Sequence, residues 1–200
     1  MSLEAREELG SLFDVKSRRA VCLGHLVMAA PHLVAVCIGS FIVGIGWFMS
    51  KLQLGRVVGV LLMIQGFALS AMILQLTSMS LYGPAIEKST HEALLLIAIV
   101  FPIVVVTYGT LAALLINLGR RCKVAILKGA GASLALAMIM LFLIVTVLAL
   151  AGEEPINIHE VSISLMIINF SIISLTVMNL IGNLLAGLGF LMSGKIYHKE

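Results

Sequence analysis

The sequence predicts an all-α fold: a polytopic helical membrane protein with about five transmembrane helices, or four if the first apolar segment is re-entrant or interfacial. Three observations carry this reading. Hydrophobic residues fill 60% of the 200 positions and charged residues only 12%, about half the charged share of a soluble domain, roughly 25%. Mean hydropathy is +1.13. The apolar residues are also gathered into five stretches, each long enough to cross a hydrocarbon layer of about 30 Å as a helix. Inside lipid every backbone amide needs an internal partner, which leaves helices or closed barrels. Barrel strands alternate polar and apolar residues. These stretches are apolar all round, so they read as helices.

Residues 1–19 precede the first stretch. Leu9, Leu12, Phe13 and Lys16 fall at helical spacing, with charges on the other faces. This spacing predicts a short amphipathic helix on the membrane surface, with a disordered tail as the alternative. Glu4, Glu7 and Glu8 stand where a secretory signal carries a basic start, so no such signal is read.

The bundle is expected over 20–194. Span 1, 20–49, is longer than a crossing requires. Either it is one tilted helix, or it begins at the interface and enters the membrane near Pro31. Spans 2 to 5 cover 57–79, 93–118, 124–151 and 161–194, and a short tail follows at 195–200. Lys128 lies near the start of span 4, where its ammonium can snorkel to the interface.

The basic residues set an expected orientation. Lys51 and Arg56 follow span 1, Arg120, Arg121, Lys123 and Lys128 follow span 3, and Lys195 and Lys199 follow span 5. The opposite links hold only Lys88. Links 50–56 and 119–123 and the C-terminus are therefore expected in the cytoplasm. Five crossings would then place Arg6, Lys16, Arg18 and Arg19 outside, against the same rule. A re-entrant span 1 removes the conflict.

Chemistry-bearing groups are sparse. The interiors of spans 1, 2, 3 and 5 hold no Asp, Glu, Lys or Arg, which argues against a proton pump or an arginine voltage sensor. No nucleophile elbow, phosphate loop or metal motif occurs, so no catalytic residue, metal or cofactor is expected. His25 and His32 stand seven apart, but no facing span offers a second haem ligand. Cys22, Cys37 and Cys122 form no C-x-x-C pair and read as buried small apolar residues. No basic run with interleaved aromatics points to nucleic acid.

Span 5 carries the strongest pattern. Asn169, Thr176, Asn179 and Asn183 share one helical face. Unpaired amides are costly in lipid, so this face should meet protein or water. Gln65 and Gln75 in span 2, with Thr107, Tyr108 and Asn117 in span 3, are possible partners. Small residues recur at packing spacing: Gly55 and Gly59 in span 2, Gly129, Ser133 and Ala137 in span 4, and Gly182, Ala186, Gly189 and Ser193 in span 5.

From Leu54 onward the order of features resembles the membrane-spanning four-domain family, the tetraspan family of a B-cell surface antigen. The matching residues are Leu54-Gly55, Gln65-Gly66, Phe101-Pro102 before Gly109, and Arg121-Cys122-Lys123 with Leu127-Lys128-Gly129 before Ser133. Span 1 is additional to that pattern, and the last external link is short and free of cysteine. The resemblance implies a self-associating adaptor with signalling or channel-modulating roles.

The leading expectation is a non-enzymatic membrane subunit or scaffold. Its expected partners are the lipid bilayer and either further copies of itself or other membrane-protein subunits. The alternative is a small transporter or channel with a polar pathway along the Asn face of span 5.

Overall fold

A computed structural model describes the backbone over residues 3–82, 86–151 and 158–192, and side-chain environments over 8–75, 77, 98–147 and 168–192. The expected tail at 195–200 and the acidic link with Glu153, Glu154 and Glu160 lie outside the described side chains. Seven helices occur among the described residues: α1 (Leu3–Leu12), α2 (Val15–Met28), α3 (Leu33–Phe48), α4 (Gln53–Tyr82), α5 (Ile86–Arg121), α6 (Ala125–Ala151) and α7 (Ile158–Met192). Four contain segments long and apolar enough to cross a membrane: Gln53–Gln75, Ala98–Arg121, Ala125–Val147 and Ile168–Met192. Each corresponds to one of spans 2 to 5.

Span 1 is not one helix. It breaks into α2 and α3, which fold back on each other as an antiparallel hairpin. The cause is local. Pro31 lacks an N–H and disfavours helical geometry at the residue before it. Helix α2 closes at Ala29, whose N–H returns to the His25 carbonyl. His32 then takes an extended conformation and caps α3, its Nδ1 accepting from Val34 N–H at 3.3 Å. With 14 and 16 residues, α2 and α3 are about 21 and 24 Å long at 1.5 Å per residue. Neither crosses about 30 Å of hydrocarbon.

Glycines hold the hairpin shut. A Cβ at Gly24 would lie 2.5 Å from Val43 N, and one at Gly46 would lie 2.7 Å from Val21 N. The next contact works the same way: Gly44 and Gly59 meet across α3 and α4, each facing the other's carbonyl. Helix packing then runs α4 to α5, α5 to α6 and α6 to α7, and α7 returns to α2. The helices thus form a closed ring.

One end of the ring is capped by α1. Leu9 and Phe13 are buried, and the Phe13 ring stands edge-on to Trp47 at 5.1 Å and to Phe190 at 5.2 Å. Lys51 N–H donates to the Leu12 carbonyl at 3.0 Å. The apolar face expected to meet lipid therefore covers the bundle instead. At the same end Arg121 reaches Glu8 at 2.9 Å, an exposed pair that orients more than it stabilises. The outer wall is apolar: Leu74 is 72% exposed, Phe67 69% and Phe170 67%. A water-soluble monomer rarely presents so large an apolar surface.

The turn from α5 to α6 is a Schellman motif. Val124 N–H donates to the Gly119 carbonyl and Lys123 N–H to that of Arg120. Lys123 occupies the left-handed position, at φ 54°, which glycine occupies without strain. Lys123→Gly should therefore raise stability by about 1 kcal/mol, read as a shifted denaturation midpoint. A loss would show that the lysine side chain makes a compensating contact.

Candidate functional site: a cavity at the hairpin tip

The hairpin tip ends inside the ring. A mainly apolar cavity of about 300 Å³ opens there, lined by Ala30, Pro31, His32 and Leu33 of the tip. Residues of the four long helices wall the rest, among them Gln65, Tyr108, Ala137 and Asn179, each near the middle of one apolar segment of α4, α5, α6 and α7. The broken helix therefore brings irregular backbone level with the centre of the four long helices.

A chain of hydrogen bonds runs from the cavity into the α2–α7 contact. Tyr108 Oη donates to Asn179 Oδ1 at 3.0 Å, and Asn183 Nδ2 donates to the same oxygen at 2.9 Å. Asn183 Nδ2 also reaches the Asn179 carbonyl at 3.0 Å. These contacts fix the Asn183 amide with its Oδ1 towards α2, 2.8 Å from His25 Nδ1. Since Oδ1 only accepts, His25 Nδ1 carries the proton. Asn179 Nδ2 extends to the Met28 carbonyl at 3.5 Å, one of the carbonyls left open where α2 ends. Helix α7 thus secures the hairpin by side-chain amides.

Two buried polar groups of this region keep atoms without a hydrogen-bond partner. His25 Nε2 is one; both Nε2 and Oε1 of Gln65 are the others. Gln65 is fully buried.

The residues singled out in the sequence divide accordingly. Gln65, Thr176 and Asn179 line the cavity, and Asn183 lies directly behind it. Thr176 returns its hydroxyl to the Ile172 carbonyl. Asn169 is exposed on α7, and Gln75 lies further along α4, outside the cavity wall. Of the proposed partners in α5, Tyr108 meets Asn179, whereas Thr107 bonds back to the Ile103 carbonyl at 2.7 Å and Asn117 is exposed. His25 and His32, seven apart on what the sequence offers as one span, belong to different elements: His25 lies in α2 and His32 precedes α3. His25 joins the network and His32 is a cap.

The small residues pack within the chain. Gly55 faces Ser50 Oγ and Trp47, Gly59 faces α3, Gly182 faces Leu134 and Gly189 faces Leu127. Ala186 is buried and Ser133 half-buried. Gly129 differs, since a Cβ there would meet only Leu185 Cδ1 at 3.5 Å.

The cysteines are free and buried. At Cys122, in the link between α5 and α6, burial pushes the thiol up to about 11; Glu8 adds to the rise and Arg121 opposes it. So little thiolate at neutral pH makes it inert. Among the described residues no cluster of His, Cys, Asp and Glu could hold a metal ion.

The sequence raises His25 only as a haem ligand, and Pro31 only as a place where span 1 could turn, without joining either to a site. The available signal was Pro31 inside an apolar stretch too long for one crossing. Comparison with known family models, curated proteins and solved structures finds no match.

Proposed function

We propose that the chain is a small integral membrane carrier whose site is the cavity at the tip of a re-entrant hairpin. The carrying observation is the coincidence of three features at one depth: a broken helix, a cavity and a buried amide network. Irregular backbone at membrane depth is tolerated where it is enclosed by protein or lines a cavity, and discontinuous helices form the central sites of many transporters. The apolar outer wall suits lipid contact. The re-entrant reading also gathers Lys16, Arg18, Arg19, Lys51, Arg56, Arg120, Arg121 and Lys123 at one end of the bundle, which the positive-inside rule assigns to the cytoplasm.

This reading ranks above the scaffold reading for a specific reason. The glycine stripes that motivated self-association mostly meet helices of the same chain, so they leave less small-residue surface for a partner.

The test is accessibility at the tip. Ala30 is exposed and lines the cavity. With the three native cysteines replaced, Ala30→Cys in proteoliposomes should react with a membrane-impermeant thiol reagent from either side, because a carrier opens its site alternately. Labelling from one side only, or from neither, would overturn the carrier reading.

A further inference from the structure

We infer that the cavity holds the hydrocarbon chain of a membrane lipid, which enters sideways from the bilayer through a seam between α7 and the hairpin tip. This rests on the reading of the cavity as a carrier's site, and it names the substrate class: an amphiphile held by its chain.

The seam follows from where the hairpin stops. Among the described residues α4 and α7 do not pack on each other; α2 and α3 stand between them. One face of α7 records the hairpin's end. Phe190, Asn183, Asn179, Thr176, Ile172 and Asn169 share that face. Phe190 and Asn183 are buried and meet His25 of α2. Asn179 is half-buried where it reaches the Met28 carbonyl at the end of α2. Thr176, Ile172 and Asn169, beyond the tip, are exposed. The groove that the hairpin occupies therefore continues past its tip as an open face.

The cavity's mouth lies on that seam. Its exposed lining residues are Ala30, Pro31, His32 and Leu33 of the tip and Thr176 of α7, whereas those of α4, α5 and α6 are buried or half-buried. The mouth is also at bilayer depth. Thr176 lies about 12 Å along α7 from Ile168, where the apolar segment begins, at 1.5 Å per residue. Exposed Ile173 and Val177 flank it.

The occupant follows from the wall. No Asp, Glu, Lys or Arg lines the cavity, and an unpaired ion in such surroundings is strongly disfavoured. A stable water needs two to four polar partners, and the polar groups here are engaged or out of reach. Asn179 Oδ1 accepts from Tyr108 and Asn183, and its Nδ2 extends to the Met28 carbonyl. Thr176 bonds within its own helix, and His32 Nδ1 caps α3. Gln65 is fully buried, and its amide offers no accessible surface. What remains is hydrocarbon, which the bilayer supplies at the mouth and which restores the dispersion contacts a bare wall lacks. The size agrees. An apolar cavity of about 150 Å³ accommodates benzene, so about 300 Å³ suits a chain segment of about a dozen carbons.

The experiment uses the purified protein in phosphatidylcholine nanodiscs doped with either of two photoreactive phosphatidylcholines, one with a diazirine near the end of an acyl chain and one with it on the headgroup. After illumination, peptide mass spectrometry locates the adducts. The chain probe should mark Leu69, Val104 and Leu141 inside the cavity as well as Phe67 and Phe142 on the outer wall. The headgroup probe should leave all three cavity residues unmarked. Val36→Phe and Leu175→Trp, which fill the cavity from opposite walls, should each lose the cavity adducts and keep the outer ones; the second serves if the first does not fold. Outer adducts alone in the unaltered protein, cavity adducts that persist in the filled variants, or equal cavity marking by the headgroup probe would each overturn the chain assignment, and the carrier reading would still stand or fall on the Ala30→Cys labelling. Cavity adducts together with one-sided labelling of Ala30→Cys would instead keep the lipid site and remove the carrier.

Discussion

Alanine at Gly39 should cost the folded protein about 3 kcal/mol or more, and valine there should abolish recovery of monodisperse protein. The reason is what a side chain would meet. A Cβ on Gly39 would strike Met28 Cγ and lie 2.8 Å from both the Gly24 carbonyl oxygen and Met28 N. A flexible methionine can swing aside; two backbone atoms cannot. Relief requires α2 and α3 to separate, which would also disturb the Gly24 contact with Val43 and the Gly46 contact with Val21. Overpacking in a well-packed core typically costs about 1–3 kcal/mol, occasionally more, and a clash with two backbone atoms that cannot move aside belongs at the top of that range or beyond it. The control is Gly129→Ala, whose Cβ would make only an ordinary contact with Leu185. Helix propensity then favours alanine by up to about 1 kcal/mol. Denaturation of each variant in mild detergent separates the two. If Gly39→Ala matched the parent, the hairpin interface would be looser than the close approach of its backbones implies.

That hairpin marks the boundary of what the residues disclosed in advance. The four long helices were legible because length and unbroken hydrophobicity are local properties, and spans 2 to 5 correspond to α4–α7 with ends that differ by at most seven residues. The packing glycines were legible as spacing, though not their partners. Whether span 1 crosses or turns back was undecided, because Pro31 permits either a kink or a break. The outcome depends on whether α7 and α4 offer surfaces for two short antiparallel helices, and no local pattern encodes that. Five crossings are the leading expectation, although the charge pattern conflicts with them, and a re-entrant or interfacial first segment removes that conflict by placing Arg18, Arg19, Lys51 and Arg121 together. The role of His25 was the least legible. A lone histidine in an apolar stretch has no readable role until its partner is known, and Asn183 lies 158 positions away. The Asn face itself was visible as a periodicity, yet that periodicity includes Asn169, which is exposed and outside the cavity wall, because a face continues along a helix beyond the place where a partner stands.

The His25–Asn183 bond supplies the second large effect. Asn183→Leu should destabilise the protein by about 2–3 kcal/mol, because it removes one partner and strands others. His25 Nδ1–H would lose its acceptor, and Asn179 would lose the Asn183 donor shared by its Oδ1 and its carbonyl. A buried donor left unmatched costs about 1–3 kcal/mol. His25→Leu alone should cost about 1–2 kcal/mol, since it strands only the Asn183 oxygen and loses the stacking of the imidazole on Phe190 at 6.4 Å. The double variant should be milder than the sum of the singles by at least about 1 kcal/mol. A paired hydrogen bond in a membrane bundle contributes only about 0.6 kcal/mol on average, so most of each single cost is the stranded partner. A double-mutant cycle by denaturation in detergent reads this coupling directly. Additive costs would mean that the two side chains do not share a bond, and α7 would then lose its strongest polar hold on α2. A coupling of the expected size has a consequence for the carrier reading. Any motion that lifts the hairpin tip away from α7 must break this bond and the longer one from Asn179 to Met28, so both single variants should ease that motion. Labelling of Ala30→Cys should accelerate in both, from both faces, even as overall stability falls, whereas a general loosening of the fold would accelerate labelling at buried positions remote from the hairpin as well.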